Sequence, residues 1–161
     1  MASTNRQWTG AESRLCSEYL ASRWPGRHTM QRVRVGQIPS DLPTTHLTPE
    51  EVRMLGVWRR WVDALVIDPP TLHVLEVGLI ANPGDLSQLE LYLRLVPQTP
   101  ELERFADLRL AGRLVHAVPD PVVRDMCHGR GIACEEYAPP WVADYLAQRR
   151  PAHRRPPLSQ F

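Results

Sequence analysis

Two carboxylates stand inside apolar runs of the sequence, where a charged side chain needs a physical reason. Asp63 lies within the run 61–67, and Glu76 lies within the run 72–78. A carboxylate on a buried strand face is costly without a partner or a metal ion. Two carboxylates on neighbouring strands can share a hard divalent cation such as Mg²⁺ or Mn²⁺, with water completing the shell. Such a cation polarises a phosphodiester and makes a bound water more acidic.

The same two carboxylates also have a purely structural interpretation. Each of them can form an ion pair with an arginine near the strand ends, for example Arg59 or Arg60. Composition alone favours this alternative. Both interpretations therefore stay open until the elements around Asp63 and Glu76 are considered.

The order of apolar patterns and turn residues predicts one α/β domain over residues 1–148. The length suits one domain, and a chain with 43% hydrophobic residues can bury a core. Alternation of strands and helices predicts a mixed central sheet flanked by helices. Two prolines, Pro69 and Pro70, predict a loop wider than a two-residue hairpin turn. The predicted strands are 30–36, 59–67, 71–79, 110–118 and 132–137, and the predicted helices are 9–24, 48–56, 86–96, 120–129 and 141–148.

Several short motifs, taken in order, resemble the PD-(D/E)XK nuclease superfamily, which has the restriction-endonuclease-like fold. Asp63 matches the first acidic position, and Glu76-Val77-Gly78 stands where Glu-x-Lys is expected. Gln88 and Tyr92 match the Gln-x-x-x-Tyr signature of the exonuclease-type branch. The resemblance covers about residues 9–148 and implies an αβββαβ core.

The resemblance implies a metal-binding role for the acidic residues. Asp63 and Glu76 would hold Mg²⁺ or Mn²⁺ if the protein is active, and the backbone carbonyl of Val77 would be a further ligand. An additional acid on the first helix is common in the exonuclease-type branch. Glu12 and Glu18 both stand in that region, and Glu12 is the residue assigned to tune the metal or the water.

Gln88 and Tyr92 are expected to lie on one face of the helix that follows Glu76. The resemblance implies that they position the DNA backbone or support the site. The alternative is that they are a polar residue and an amphipathic aromatic that pack on the sheet. This second alternative also stays open.

The chain departs from the family at Gly78, which occupies the position of the catalytic Lys. The chain contains no Lys at all, so none can reach the site from elsewhere. Removing a preorganised positive group of this kind costs on the order of a hundredfold in rate. Arg60 and Arg94 are candidates to approach the site, but a guanidinium clamps phosphates and does not replace a compact ammonium at the nucleophile.

The missing Lys favours a non-enzymatic protein built on a degenerate nuclease fold. The tract 131–137 resembles the ending of small phage-encoded members, which implies a neck, head-completion or connector-region component. Such a protein would contact other phage structural proteins, copies of itself or packaged DNA, and would pass from the host cytoplasm into the virion. The alternatives are an active Mg²⁺-dependent DNA nuclease with an atypical site and an inactive DNA-binding module.

The last residues, 149–161, are predicted to form a basic, extended Pro/Arg-rich tail. They carry four arginines and no acid, and these are the expected contacts with a partner or with DNA: Arg149, Arg150, Arg154 and Arg155. The chain as a whole has a formal net charge of +1, which indicates no strong attraction to nucleic acid or to a membrane.

Three cysteines and the absence of a leader sequence indicate a reduced, cytoplasmic environment. An odd number of cysteines argues against a disulfide framework, and the spacing of Cys127, His128 and Cys134 fits no standard zinc pattern. No stretch approaches the roughly 18 apolar residues of a membrane span. We therefore expect no membrane partner.

Overall fold

The computed structural model describes residues 10–38, 46–48 and 59–149. Its elements follow the order helix α1, strands β1, β2 and β3, helix α2, strand β4, helix α3, strand β5 and helix α4. Their bounds are α1 Gly10–Arg23, β1 His28–Val35, β2 Arg60–Asp68, β3 Thr71–Ile80, α2 Pro83–Leu95, β4 Arg109–Val118, α3 Pro121–Gly129, β5 Ala133–Glu136 and α4 Trp141–Arg149. Two 3₁₀ helices, Val96–Gln98 and Pro100–Phe105, connect α2 to β4. The predicted αβββαβ order is confirmed.

The five strands form one mixed sheet in the order β1-β2-β3-β4-β5. Strands β1, β2 and β3 are antiparallel neighbours, whereas β3, β4 and β5 run parallel. Parallel strands need crossover connections, which α2 and α3 provide. Helices α2 and α3 cover one face of the sheet and α1 and α4 the other, so the fold class predicted from the sequence is confirmed.

The first core fills the space between one face of the sheet and helices α2 and α3. Its residues include Leu72 and Val74 from β3, Leu89 from α2 and Val123 from α3. Asn82 caps α2 by accepting a hydrogen bond from the backbone N–H of Asp85 at 3.3 Å. This cap fixes the start of the helix that lies across β3.

The second core lies on the opposite face of the sheet, under α1 and α4. Leu15, Cys16 and Tyr19 of α1 pack on Leu75 and Val77 of β3. These helical residues recur at i, i+1 and i+4, so they share one face of α1. Successive residues of β3 therefore alternate between the two cores, and this alternation decides where its polar side chains point.

The turn between β2 and β3 is tighter than the sequence suggested. Asp68 pairs with Thr71, so only Pro69 and Pro70 lie between the strands. The predicted wider loop is wrong, because the Pro69–Pro70 peptide bond is cis. A cis proline at the third position of a tight turn permits a geometry that the primed turns do not.

Several predictions fall on residues outside the described ranges. These include the helix predicted at 48–56, the Thr9 cap, and the tail beyond Arg149 with Arg150, Arg154 and Arg155. Arg149 itself ends α4 and lies over the ring of Tyr145. No helix among residues 10–38, 46–48 and 59–149 combines the length and the apolar character that a bilayer crossing requires.

Candidate functional site

Asp63 lies at a break in the alternation of strand β2. Leu65 faces the first core and Ala64 the second, as a regular strand requires, but Val62 faces the first core as well. The break therefore falls at Asp63, whose carboxylate accepts a hydrogen bond from the backbone N–H of Val77 at 2.8 Å. This contact holds the carboxylate against β3, where it is 9% exposed.

The neighbouring strand β1 is distorted at the same level. Gln31 pairs with Ala64 and Val33 pairs with Val62, which places Arg32 opposite Asp63. Arg32 has a φ of 50°, in the left-handed region that non-glycine residues seldom adopt. Backbone strain of this kind concentrates at functional sites, where the surrounding structure maintains it.

Glu76 lies beside Asp63 on the next strand and faces the first core. The register between β2 and β3 ends at the pair of Ala64 and Leu75, and Asp63 and Glu76 are the next residues of the two strands. Glu76 is only 2% exposed. The two carboxylates are thus buried together on adjacent strands, as their positions in the sequence predicted.

Helix α2 brings Gln88 and Tyr92 over this pair. The amide of Gln88 donates a hydrogen bond to the Tyr92 hydroxyl, and the Tyr92 ring is fully buried. Burial raises the pKa of Tyr92, and the nearby charges of Glu76 and Asp63 raise it further. The Tyr92 hydroxyl therefore stays protonated at neutral pH and remains a hydrogen-bond donor next to the carboxylates.

Helix α1 approaches from the other face and distinguishes Glu12 from Glu18. Glu12 is 5% exposed and lies one turn before Cys16 on the buried face of the helix. Burial, followed by the charges of Asp63 and Glu76, raises the pKa of the Cys16 thiol to about 12. Glu18 instead accepts hydrogen bonds from Trp141 and Arg14, which lower its pKa. Glu12 is therefore the acid on the buried face of α1, and Glu18 is the one at the surface.

The arginines that the sequence suggested as partners of the carboxylates or as substitutes for the Lys lie at different places in the structure. Arg59 forms a two-pronged ion pair with Glu101, at 2.7 and 2.9 Å, so it is not the partner of Asp63 or Glu76. Arg60 lies close enough to lower the pKa of Tyr92 slightly. Arg94 instead lines an open cleft of about 620 Å³ with Gly112 and Ile132.

A buried Asp–His pair, which the sequence reasoning missed, lies next to Gly78. His116 Nε2 and an Asp85 carboxylate oxygen are 3.1 Å apart, and their side chains are 1% and 3% exposed. His116 is the register partner of Gly78 on β4. A usable signal existed, because His116 interrupts the apolar run 114–118 just as Asp63 and Glu76 interrupt theirs.

An aromatic and basic surface lies at the start of β2. Trp61 precedes Asp63 by two residues and is 41% exposed. The guanidinium carbons of Arg34 and Arg32 lie 4.6 Å and 5.1 Å from the centre of its ring. Aromatic faces stack on nucleic-acid bases and arginines bind phosphates, so this surface suits a nucleic-acid strand.

The oxygen donors of the site suit a small, hard cation better than zinc. Within the described part of the chain, no group of three or more His, Cys, Asp or Glu side chains is arranged to hold a metal ion. Mg²⁺, however, usually binds through one or two carboxylates and keeps several waters. Asp63 and Glu76 match that requirement. The three cysteines are free thiols, two of them buried.

The fold and the site together define an α/β protein with a mixed sheet and a pair of buried carboxylates at its centre. No protein-family model matches the chain, and no curated protein matches it. A repair endonuclease from Pyrococcus abyssi is similar in structure, with 15% identity, a TM-score of 0.48 and coverage of 84% of this chain and 50% of that one. A protein of unknown function is similar with 8% identity, a TM-score of 0.46 and coverage of 76% and 56%. The chain thus spans about half the length of these two proteins, and likeness at this level supports no conclusion about activity.

Proposed function

We propose that this protein is a divalent-metal-dependent nuclease that hydrolyses phosphodiester bonds of DNA. The observation that carries the proposal is the burial of Asp63 and Glu76 side by side, with the Val77 N–H holding one carboxylate in place. Two like charges buried together oppose folding unless ion pairs, hydrogen bonds, a proton or a cation compensate them, and one bound cation would compensate both carboxylates at once.

The residues around the carboxylates have distinct parts in the proposed reaction. Asp63 and Glu76 would hold the cation, and the Val77 carbonyl and water would complete its shell. A bound Mg²⁺ or Mn²⁺ supplies Lewis-acid polarisation of the scissile phosphate. The protonated Tyr92 hydroxyl, oriented by Gln88, supplies a neutral hydrogen bond that does not add charge to an acidic site.

The exposed surface at Trp61 supports nucleic acid as the substrate class. A base that stacks on the Trp61 ring would leave its phosphates near Arg32 and Arg34. Asp63 lies two residues further along the same strand.

The competing function is a non-enzymatic assembly role in a phage particle, which the missing Lys at Gly78 favours. Nothing in the described residues bears on a phage partner, so this role remains a prediction. The two functions differ in what they require of the carboxylates. An assembly protein tolerates the loss of Asp63 and Glu76, whereas a nuclease does not.

The test is a cleavage assay with Mg²⁺ and with Mn²⁺ on linear, nicked and single-stranded DNA. The matched control is the double variant Asp63→Ala/Glu76→Ala, with folding checked by circular dichroism. Cutting by the wild type that is lost in the control supports the nuclease. No cutting on any substrate by the folded wild type rejects it in favour of the assembly role.

A further inference from the structure

The position of His116 suggests an answer to the missing Lys. Strands β3 and β4 are parallel, and His116 is the register partner of Gly78. Register partners on neighbouring strands lie about 4.8 Å apart and point to the same face. The His116 imidazole therefore occupies the space beside the position from which a Lys side chain at residue 78 would extend.

His116 also faces the same core as the metal-binding carboxylate. Leu72 and Val74 belong to the first core, and Glu76 and Gly78 continue that alternation along β3. Leu114, two residues before His116, belongs to the first core as well. His116 and Glu76 are therefore on one side of the sheet, on strands that pair directly.

Asp85 fixes the imidazole in one orientation. Asp85 lies in the first turn of α2, and its backbone N–H donates a hydrogen bond to the side chain of the capping residue Asn82. The start of the helix therefore holds the Asp85 carboxylate next to His116 on β4. The carboxylate is 3.1 Å from His116 Nε2. An imidazole that donates its Nε2–H to this carboxylate has its lone pair on Nδ1.

The Nδ1 atom of His116 is buried, and it has no hydrogen-bond partner among the described residues. A buried ring nitrogen without a partner costs free energy, and a water molecule is the smallest partner that removes this cost. On the other side of β4, the register partner of His116 is Glu136 of β5, and Glu136 is exposed. The chain therefore provides a ring nitrogen on the same face of the sheet as Glu76, next to Gly78, that lacks only a small hydrogen-bond donor.

We infer that His116, oriented by Asp85, is the catalytic base that fills the role of the absent Lys, an inference that rests on the proposed nuclease function. His116 Nδ1 accepts a proton from a water molecule while the water oxygen forms a bond to phosphorus. The bond from phosphorus to the leaving sugar oxygen breaks with its electron pair, and that oxygen takes a proton from solvent. Asp85 keeps its charge and stabilises the imidazolium that forms.

The test measures the single-turnover cleavage rate in saturating Mn²⁺ and DNA for the wild type and for His116→Gln. Glutamine keeps a hydrogen-bond donor for Asp85 but cannot act as a base. We expect a rate at least about a hundredfold lower. The dissociation constant for DNA, measured without metal, and the melting temperature should stay unchanged. The matched control is His73→Ala on β3, which faces Trp24 on the other side of the sheet and should keep the wild-type rate.

A second variant distinguishes a catalytic role from a structural one. His116→Ala frees space beside residue 78, and adding Gly78→Lys to it should raise the rate at least about tenfold above that of His116→Ala. A purely structural histidine would leave the gain from Gly78→Lys equal in His116→Ala and in the wild type, whereas the loss of a catalytic base makes the gain larger in His116→Ala. Wild-type cutting that persists unchanged in His116→Gln overturns the inference alone. A wild type that does not cut overturns the proposed function and the inference with it.

Discussion

Glu76→Gln is expected to stabilise the metal-free protein while abolishing its response to metal. Glu76 and Asp63 are 2% and 9% exposed and lie on adjacent strands. At the ~5 Å spacing that is general for cross-strand neighbours, and at an effective dielectric constant of about 20, two like charges repel by about 3 kcal/mol. Glutamine keeps the shape of the side chain and removes one charge. After allowance for weaker hydrogen bonds, we expect a gain of about 1–2 kcal/mol in the free energy of unfolding.

The assay is thermal unfolding in EDTA and in Mg²⁺. For a chain of this length, that gain raises the melting temperature of Glu76→Gln in EDTA by several degrees, at about 2–4 °C per kcal/mol. Mg²⁺ at ten times its dissociation constant should stabilise the wild type by about 1.4 kcal/mol. The variant should show no such shift.

The matched control is Asp125→Asn, which removes an exposed carboxylate from α3. It should leave both the metal-free stability and the metal response unchanged. If Glu76→Gln destabilises the metal-free protein, or if Mg²⁺ stabilises the variant as much as the wild type, the reasoning about paired buried charges is refuted.

Two further predictions concern DNA binding at Trp61 and the pH dependence of stability through Cys16. Trp61→Ala should weaken the binding of single-stranded DNA about tenfold, since one stacked base contributes about 1–3 kcal/mol. Unchanged affinity, or an equal loss in the exposed control Val122→Ala, contradicts this. Because the pKa of Cys16 is raised from 9.0 to about 12, unfolding releases its proton, and stability that is complete below pH 9 should decline as the pH rises towards 12. The free energy of unfolding, measured with urea, should decline less steeply with pH in Cys16→Ala than in the wild type, with a difference of at most about 1.4 kcal/mol per pH unit. An identical decline in both proteins would refute the raised pKa of Cys16.

The sequence was most informative where chemistry interrupts a regular pattern. Asp63 and Glu76 stand out because a charge in an apolar strand demands compensation, and the structure indeed buries both on adjacent strands. The helices were predictable from their caps, such as Asp120, which accepts hydrogen bonds from the N–H groups of Val122 and Val123. The fold class followed from the order of these elements.

Other features depend on contacts between distant parts of the chain and could not be predicted locally. Helical spacing left Glu12 and Glu18 equivalent, and the structure separates them, because Trp141, 123 residues away, donates a hydrogen bond to Glu18 while Glu12 is buried. The left-handed backbone of Arg32 has no glycine or asparagine to signal it. The role of His116 became visible only when the parallel register placed it beside Gly78.

The most direct test of the central claim is the rate of DNA cleavage as a function of Mn²⁺ concentration, for the wild type and for Asp63→Asn. Asparagine keeps the side-chain oxygen that accepts a hydrogen bond from the Val77 N–H, so the fold around the site is maintained. We expect a rate that saturates with Mn²⁺ in the wild type and is lost in the variant. Cleavage that needs no metal, or that proceeds equally in Asp63→Asn, would contradict that claim.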